Sequence, residues 1–511
     1  MSTTYDYLII GAGSAGAALA ARLSEDPERS VLLLEAGPDY PDLNHLPEDL
    51  SLGIRASLDA HDWHWNGDAR PGRPVTYPRG KVTGGSSAVN GIVAIRGTPE
   101  DYDEWAELGN EGWSFEDVLP YFRKLEDDRD FGGDFHGKGG PIPIVRWKPD
   151  ELAPLQQAFF DACRSEGFPA SEDHNVPGST GVGSWAMNRN GNLRISTAIG
   201  YLAPARNRLN LTIRGNAHVR RVLFEGTRAV GAEVEVDGSV QTVRASDVIL
   251  CAGALHSPAT LLRSGVGPRE KLEALSIPVV HHLPGVGENL IDHPSVVLMA
   301  KPKDGAVSSG QPLQQMGLRF TAADSPDEND MQMYMWSQDV DFTPQLRSVM
   351  PDTPYLFMLC VTLQRPASRG RVSLRSANPD EQPQIDINLL AEEEDTRRMA
   401  DGVRVAWRLL NTPAITEKTD TILGPTGDIV SNDDALRAFL NERVNHLVHP
   451  VGTCKMGAAT DLMAVVDSHG RVHGMQGLRV ADAAIMPNIP RANTNLTAIM
   501  IGERIADLMR D

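Results

Sequence analysis

The chain contains 511 residues, with 48 Lys and Arg against 68 Asp and Glu, which gives a formal net charge of −20. Hydrophobic residues make up 41% and charged residues 23%, the ordinary usage of a globular protein, so the composition excludes disordered, collagen-like and low-complexity chains. The length predicts about two or three domains. Because phosphate backbones attract basic surfaces, the acidic balance argues against nucleic acid as a partner.

The four cysteines, Cys163, Cys251, Cys360 and Cys454, are far apart and form no CxxC pair. This spacing argues against a disulfide framework or a structural zinc site and is typical of a reducing compartment. The apolar stretch 7–21 contains three glycines and lacks a basic leader, so it is not typical of a signal peptide. No run reaches the ~18 apolar residues of a membrane span. We therefore expect a cytoplasmic protein without a transmembrane segment.

The first 36 residues predict a βαβ unit. The apolar run 5–10 predicts a buried strand, residues 17–23 have helix-forming composition, and residues 31–34 predict a second strand that ends at Glu35. Between the first strand and the helix, residues 11–16 read GAGSAG, which is the G-x-G-x-x-G spacing. The whole context of a dinucleotide-binding fingerprint is therefore present.

Each glycine of this loop has a different task. Gly11 permits the tight turn, Gly13 lets the backbone approach a pyrophosphate, and Gly16 lets the helix pack closely on the strand. Free N–H groups at the helix start face the phosphates. Glu35 is placed to accept hydrogen bonds from ribose hydroxyls, and its charge disfavours the 2′-phosphate of NADP. The alternative is a glycine-rich turn in an unrelated α/β unit.

A second glycine-rich segment, residues 78–91, reads PRGKVTGGSSAVNG. It predicts either a loop that wraps a polar ligand with backbone N–H groups or an ordinary turn with an N-cap. Further along, residues 219–224, 229–236 and 240–243 predict a meander, and residues 247–251 predict a separate buried strand.

Residues 301–366 are rich in Met, Pro and Gln without a clear period, and we place much of a substrate-facing domain there. One cluster in this segment consists of Met331, Met333, Tyr334, Met335 and Trp336. These side chains either line an adaptable apolar pocket or belong to the core.

The candidate chemistry lies in the last hundred residues. The string 446–457 reads HLVHPVGTCKMG and places His449 directly before a proline. By itself, such a histidine is more typical of a hydrogen-bonded turn in the core than of a catalytic group. Residues 496–509 predict an apolar helix that Asn493 or Thr494 caps. The N-terminus of this helix, aimed at a cofactor, would stabilise negative charge on a ring.

Three other patterns do not predict sites. His446 and His449 are three residues apart, but no carboxylate-rich motif accompanies them, so we predict no metal. Residues 132–139 resemble a phosphate loop, yet Gly139 stands where a Ser or Thr must bind magnesium. The sequence has no G-x-S-x-G elbow, which argues against a serine hydrolase.

Several segments occur in one order along the chain. They are GAGSAG with Glu35, GGSS at 84–87, GALHSP at 253–258 with SGVG at 264–267, PGVGENL at 284–290, and the string 446–457. Together they resemble the glucose–methanol–choline (GMC) family of FAD-dependent oxidoreductases, and most closely its choline dehydrogenase and pyridoxine oxidase type. The resemblance extends over residues 5–509.

The resemblance implies an α/β fold of the p-hydroxybenzoate-hydroxylase-like type, with a Rossmann-like FAD-binding domain and an α+β substrate domain built on an antiparallel sheet. We expect the FAD-binding domain to be discontinuous, over residues 1–145, 195–295 and 425–511. The substrate-binding domain would comprise residues 146–194 and 296–424.

The resemblance also implies oxidation of a primary or secondary alcohol to the carbonyl by hydride transfer to flavin N5. His449 would be the base and Asn493 its partner. A neutral imidazole, with a pKa of about 6.5, can take the alcohol proton near neutral pH. Asn493 would hold the alkoxide-like oxygen or the imidazole. We expect a small-molecule alcohol as substrate and oxygen or a quinone-type acceptor; the oligomeric state stays open.

Cofactor contacts follow position by position from the same resemblance. They are Gly11, Gly13, Ser14, Ala15, Gly16, Glu35, Ala36, Gly85, Ser86, Asn90, Val219, Asp482, Ala483 and Thr494. Val89 stands where some members tether FAD through a histidine, and because valine has no nucleophile we expect non-covalent FAD. Thr83 and Thr260 depart from the family signatures. The segment 300–365 is shorter than in choline-oxidising members, which argues against choline itself.

Two other functions stay open. One is a flavin-retaining non-redox enzyme of the same fold, such as a cyanohydrin lyase or a photodecarboxylase; His449 beside Asn493 favours alcohol oxidation over it. The other is a binding or scaffold protein that kept the fold and lost turnover, against which the intact base and flavin loops argue.

Overall fold

The computed structural model describes residues 4–340 and 353–510. In chain order, the strands are β1 (Thr4–Ile10), β2 (Val31–Leu34), β3 (Asn66–Arg70), β4 (Arg73–Thr76), β5 (Glu126–Asp128), β6 (Ile142–Arg146), β7 (Gly181–Ser184), β8 (Ala186–Met187), β9 (Arg189–Asn190), β10 (Leu193–Arg194), β11 (Leu211–Arg214), β12 (Ala217–Glu225), β13 (Arg228–Val236), β14 (Ser239–Leu250), β15 (Val266–Gly267), β16 (His281–His282), β17 (Pro294–Pro302), β18 (Met316–Phe320), β19 (Met331–Asp339), β20 (Tyr355–Leu363), β21 (Arg371–Ser373), β22 (Gln384–Asp386), β23 (Thr419–Gly424), β24 (Asn445–His446) and β25 (Leu478–Val480). The α-helices are α1 (Ser14–Leu23), α2 (Glu48–Ser51), α3 (Pro99–Glu107), α4 (Phe115–Leu125), α5 (Pro154–Ser165), α6 (Ala203–Ala205), α7 (Gly253–Arg263), α8 (Arg269–Ala274), α9 (Glu393–Leu410), α10 (Pro413–Thr416), α11 (Gly427–Ser431), α12 (Asp433–Arg443) and α13 (Thr494–Leu508).

Parallel strands form the centre of the first sheet. Its order is β11-β2-β1-β14-β13-β12, and β25 also pairs with β14. β1, β2, β11 and the second half of β14 run parallel, and α1 makes the crossover between β1 and β2. All of β2 is buried, as expected of a strand covered on both faces. The predicted βαβ unit is confirmed, with its helix beginning at Ser14 rather than at residue 17.

The predicted break between residues 243 and 247 is wrong, because β14 is one continuous strand. Its first half pairs antiparallel with β13, and its second half pairs parallel with β1. The strand therefore changes from an exposed setting at its start to a buried one at its end. This change of surroundings alters the hydrophobic pattern, so one strand has the sequence signature of two.

Antiparallel strands form the second sheet, in the order β23-β17-β20-β19-β18-β7, with β24 also pairing β17. The helices α5 and α9 pack on one face of this sheet. Strand alternation in β19 places Met331, Met333 and Met335 in the core on that face. Tyr334 and Trp336 point the other way, into the cavity described below. The three methionines thus belong to the core, whereas Tyr334 and Trp336 line a pocket, so each of the two interpretations holds for alternate residues.

The α/β class is confirmed, and the domain limits stay a prediction. Each large sheet takes strands from distant parts of the chain, which agrees with discontinuous units. Part of the predicted substrate-facing segment, residues 341–352, lies outside the described residues. Within residues 4–340 and 353–510, no helix combines the length and the apolar character required to cross a bilayer.

Candidate active site

A cavity of about 710 Å³ extends from the glycine-rich loop after β1 to the second sheet. The sequence-predicted residues that line it are Gly11, Gly13, Ser14, Ala15, Glu35, Ala36, Gly85, Ser86, Asn90, Val219, His449, Asp482, Ala483, Asn493 and Thr494. Gly16, also predicted as a cofactor contact, is not among the lining residues. The fold therefore brings residues from both ends and the middle of the chain to one cavity.

The two glycine-rich loops meet through their backbones. Gly11 has a φ of +102°, and a Cβ there would lie 2.5 Å from the carbonyl oxygen of Cys251. Gly85 has a φ of +52°, and its Cβ would lie 2.7 Å from Cα of Gly13. A Cβ on Gly16 would lie 2.0 Å from the carbonyl oxygen of Gly11, so Gly16 serves close helix packing. Bare backbone of this kind can present N–H groups to a phosphate.

Glu35 is a buried carboxylate at the end of β2. Its Oε2 accepts a hydrogen bond from the backbone N–H of Ala12 at 3.0 Å, and its Oε1 accepts one from Gly37 at 2.9 Å. Burial raises the pKa of Glu35 to about 7, against the lowering effect of these N–H groups. The side chain lines the cavity, where the remaining lone pairs of its oxygens can accept hydroxyl hydrogen bonds.

The imidazole of His449 lies between a second histidine and an amide. Its Nδ1 is 3.0 Å from Nδ1 of His293, and its Nε2 is 3.2 Å from Nδ2 of Asn493. Nε2 of His293 is 3.1 Å from the carbonyl oxygen of Pro490. A carbonyl only accepts, so Nε2 of His293 carries hydrogen, and its bare Nδ1 accepts from Nδ1–H of His449. His449 is left with a lone pair on Nε2, on the side of Asn493.

Both imidazoles are in the neutral form. Burial lowers the pKa of His449 well below its usual value, and the positive charges near it, first His293 when protonated and then Arg79, act in the same direction. Burial lowers the pKa of His293 to about 3. His449 is therefore a proton acceptor at neutral pH.

A strained loop holds His449 in place. Val448 has a φ of +57°, a left-handed conformation that is unfavourable for a β-branched residue. The carboxylate of Asp292 accepts the backbone N–H of Leu447 at 3.2 Å and that of His449 at 3.0 Å. Nη2 of Arg79 donates to the carbonyl oxygen of Val448. These contacts fix the backbone on both sides of the strained residue, and thereby the direction of the His449 side chain.

The last helix has its N-cap at one of the two predicted residues, but without the expected side-chain cap. Asn493 occupies the N-cap position of α13, but its side chain makes no capping hydrogen bond. Its Nδ2 faces His449 instead, and its Oδ1 accepts from the hydroxyl of Tyr334 at 3.2 Å. The first turn of α13, with Thr494, Asn495 and Ala498, lines the cavity. Its free N–H groups and positive helix end are therefore available to a ligand.

Asp482 connects the turn after β25 to α7. Its Oδ2 accepts from the backbone N–H of Gly253 at 2.7 Å and from Oγ of Ser257 at 2.6 Å. Its Oδ1 accepts from the N–H of Ala484 at 2.7 Å. Asp482 thus shapes the cavity wall and has its acceptor capacity largely used within the protein.

The positions that depart from the family signatures have different surroundings. Thr260 and Val89 line the cavity, whereas Thr83 is buried outside it with a hydroxyl that makes no hydrogen bond. The side chain of Val89 offers no atom for a covalent bond to a cofactor.

Sequence reasoning missed the side chains that support the predicted pair, namely His293, Asp292 and Arg79. In the sequence, only their positions could have indicated a role in the site. Asp292 and His293 follow the PGVGENL segment, and Arg79 belongs to the segment 78–91. Their contacts with the 446–449 loop join residues about 155 and 370 positions apart. A pattern within one segment cannot reveal such contacts.

Family comparisons agree with this geometry. The models of the GMC oxidoreductase family match residues 5–295 and 366–502. The chain belongs to the GMC oxidoreductase family. It is 40% identical to an oxygen-dependent choline dehydrogenase of Pseudomonas fluorescens, over 100% of this chain and 94% of the relative. It is 38% identical to an uncharacterized GMC-type oxidoreductase in the thcA 5′ region of Rhodococcus erythropolis, over 99% and 98%.

Two solved structures have the same fold. The crystal structure of pyridoxine 4-oxidase from Mesorbium loti gives a TM-score of 0.90 at 30% identity and covers 99% of both chains. A formate oxidase from Aspergillus oryzae RIB40, studied for the modification of its FAD, gives 0.90 at 25% identity over 100% of this chain and 98% of its own. GMC oxidoreductases are FAD-dependent.

The residues of this GMC chain fit FAD. A Cβ at Gly11 or Gly85 would collide with backbone, which is the cradle that a close pyrophosphate requires. The buried carboxylate of Glu35 lines the same cavity as the loops. The free helix end at Thr494 and the imidazole of His449 also line it, so a positive helix end and a neutral imidazole share one continuous space.

Proposed function

We propose that this GMC chain binds FAD non-covalently and oxidises a primary or secondary alcohol to the carbonyl. The observation that carries the proposal is the pair formed by His449 and Asn493, in which a neutral imidazole has its lone pair on the nitrogen beside the amide. A base in this form can take the proton of an alcohol.

The proposed cofactor residues divide into two groups. The loops at Gly11 and Gly85, with the first turn of α1, would hold the pyrophosphate, and Glu35 would accept the ribose hydroxyls. Asp482 and the first turn of α13 would border the flavin end. Bound FAD would accept the hydride from the carbinol carbon. Val89 supports non-covalent binding.

Side chains of the protein would take up the proton and position the substrate. His449 takes the hydroxyl proton at Nε2, because Nδ1 already carries hydrogen toward His293. The amide of Asn493 donates toward the same nitrogen and would donate to the alkoxide-like oxygen as charge develops there. The loop held by Asp292 and Arg79 keeps the imidazole oriented, so little reorganisation accompanies proton transfer.

The test is anaerobic mixing of the purified, FAD-loaded protein with a panel of primary and secondary alcohols, followed by flavin absorbance. We expect at least one alcohol to bleach the oxidised flavin band and to yield the aldehyde or ketone. Reoxidation by oxygen and by a quinone, compared afterwards, identifies the acceptor.

A protein that binds FAD, is not reduced by any alcohol, and instead cleaves cyanohydrins or decarboxylates in light would contradict the proposal and establish the non-redox alternative. A protein that takes up no flavin would contradict both.

A further inference from the structure

One wall of the cavity is apolar and built from three neighbouring strands. Trp336 on β19 pairs with Met358 on β20, which in turn pairs with Met299 on β17, so the three side chains form a row across the sheet. All three line the cavity, together with Val297. We call this row and Val297 the apolar wall.

The polar atoms at this wall are already used by the protein. Nε1 of Trp336 donates to Oε1 of Gln314 at 2.7 Å, and Nε2 of Gln314 donates to the carbonyl oxygen of Gly91 at 3.2 Å. Both residues line the cavity. The bond to Gln314 fixes the plane of the indole, so that the wall offers a flat apolar surface.

The charges around the cavity do not favour a cationic substrate. The acidic lining residues in the described part of the chain are Glu35, Asp62 and Asp482, and none lies on the strands of the apolar wall. Asp62 accepts from the backbone N–H groups of Arg79 and His64. The charged side chain that acts on His449 is Arg79, a cation.

We propose that the substrate is an uncharged alcohol with an apolar body that lies on the apolar wall, and that Trp336 and Gln314 determine this specificity. The inference rests on the proposed alcohol oxidation. A quaternary ammonium alcohol such as choline would lose its hydration without gaining a carboxylate, and would share the cavity with the charge of Arg79. The face of Trp336 attracts a cation, but this offsets only part of that cost.

The test compares choline with 3,3-dimethylbutan-1-ol, in which carbon replaces the positive nitrogen at nearly the same size and shape. The two readouts are the dissociation constant, from the change in the flavin absorption spectrum on binding, and the rate of anaerobic flavin reduction. We expect the uncharged alcohol to bind at least ~10-fold more tightly than choline. Equal or tighter binding of choline overturns the inference.

An isosteric variant tests the wall itself. Gln314→Glu adds a carboxylate beside Trp336 and should shift the ratio of the two dissociation constants toward choline by ~10-fold or more. Gln311→Glu is the matched control, because it adds the same charge three residues away at a side chain that does not line the cavity. We expect the ratio of the two dissociation constants in Gln311→Glu to equal that of the wild type. A folded, FAD-loaded Gln314→Glu protein with an unchanged ratio overturns the assignment of this wall.

The two readouts separate the inference from the proposed function. Tighter binding of the uncharged alcohol without flavin reduction by any alcohol supports the apolar site and overturns alcohol oxidation. Flavin reduction by alcohols together with preferred binding of choline supports oxidation and overturns the inference.

Discussion

Nδ1 of His293 lies 3.0 Å from Nδ1 of His449, and the two imidazole planes are nearly perpendicular, at 89°. Two nitrogens at this distance need one hydrogen between them, and the carbonyl of Pro490 determines which ring supplies it. The contact therefore decides where the lone pair of His449 lies. A histidine that touches no substrate thus orients the one that is proposed to do so.

Replacement of the proposed base should remove flavin reduction and leave the cofactor bound. We expect His449→Gln to lower the limiting rate of anaerobic flavin reduction by at least ~10²-fold, because no neutral imidazole is then present to take the alcohol proton. FAD content per chain should stay the same. His45→Gln, at an exposed histidine, is the control. Near-normal reduction by His449→Gln would remove His449 from the mechanism.

Replacement of His293 should slow flavin reduction less than replacement of His449, by an amount that depends on the new side chain. His293→Phe leaves Nδ1–H of His449 without its acceptor and frees the ring to adopt the other tautomer, so we expect reduction to slow ~10-fold or more. His293→Asn offers a carbonyl oxygen as acceptor and should recover part of the rate. Stopped-flow reduction of both variants checks this order. Equal rates would show that His293 only fills space.

The pH profile should reflect the lowered pKa of His449. A base is active when it is unprotonated, and burial holds its pKa well below the usual value. The limiting rate of reduction should therefore stay nearly constant from about pH 6 to 8, where an ordinary imidazole with a pKa of about 6.5 would lose activity toward the acid side. An inflection at pH 6.5 or above would contradict the environment described for this ring.

Glu35 should affect cofactor binding and not the chemical step. Glu35→Gln replaces an oxygen that accepts from the N–H of Ala12 or Gly37 by an amide NH₂, so one backbone donor meets another donor. We expect the FAD dissociation constant to rise ~10-fold. At saturating FAD the limiting reduction rate should equal that of the wild type. Unchanged affinity would contradict the proposed ribose contact.

Local pattern predicted the part of the candidate site that lies within the first βαβ unit, whereas it left the segment 78–91 open between a ligand loop and an ordinary turn. The loop at Gly11 and the acid at Glu35 belong to one βαβ unit, and its strands and helix were predictable from composition and spacing. The contacts of Asn493 were not predictable from local pattern, because the helix after it makes an N-cap the natural expectation; only the family resemblance paired it with His449. Its amide makes other contacts because His449 and Tyr334 lie beside it, and only the tertiary fold brings them there.

A buried ionic network that does not line the cavity should make the stability of the folded protein fall at alkaline pH. Nε2 of His136 is 2.7 Å from Asp173, its Nδ1 is 3.1 Å from Asp128 and 3.4 Å from Glu126, and Arg146 pairs with both aspartates. Burial alone would lower the pKa of His136, but the hydrogen bonds with the carboxylates outweigh it and raise the pKa to about 10.

Because the folded-state pKa of His136 is raised, its contribution to stability is complete below the unfolded value of about 6.5 and is lost as the pH rises through 10. We expect the melting temperature of the wild type to fall more steeply between pH 7 and 10 than that of His136→Gln, which carries no titrating group there. His473→Gln is the control for loss of a histidine outside this network. If the melting temperatures of the wild type and His136→Gln fell equally between pH 7 and 10, His136 would not be protonated in the folded protein.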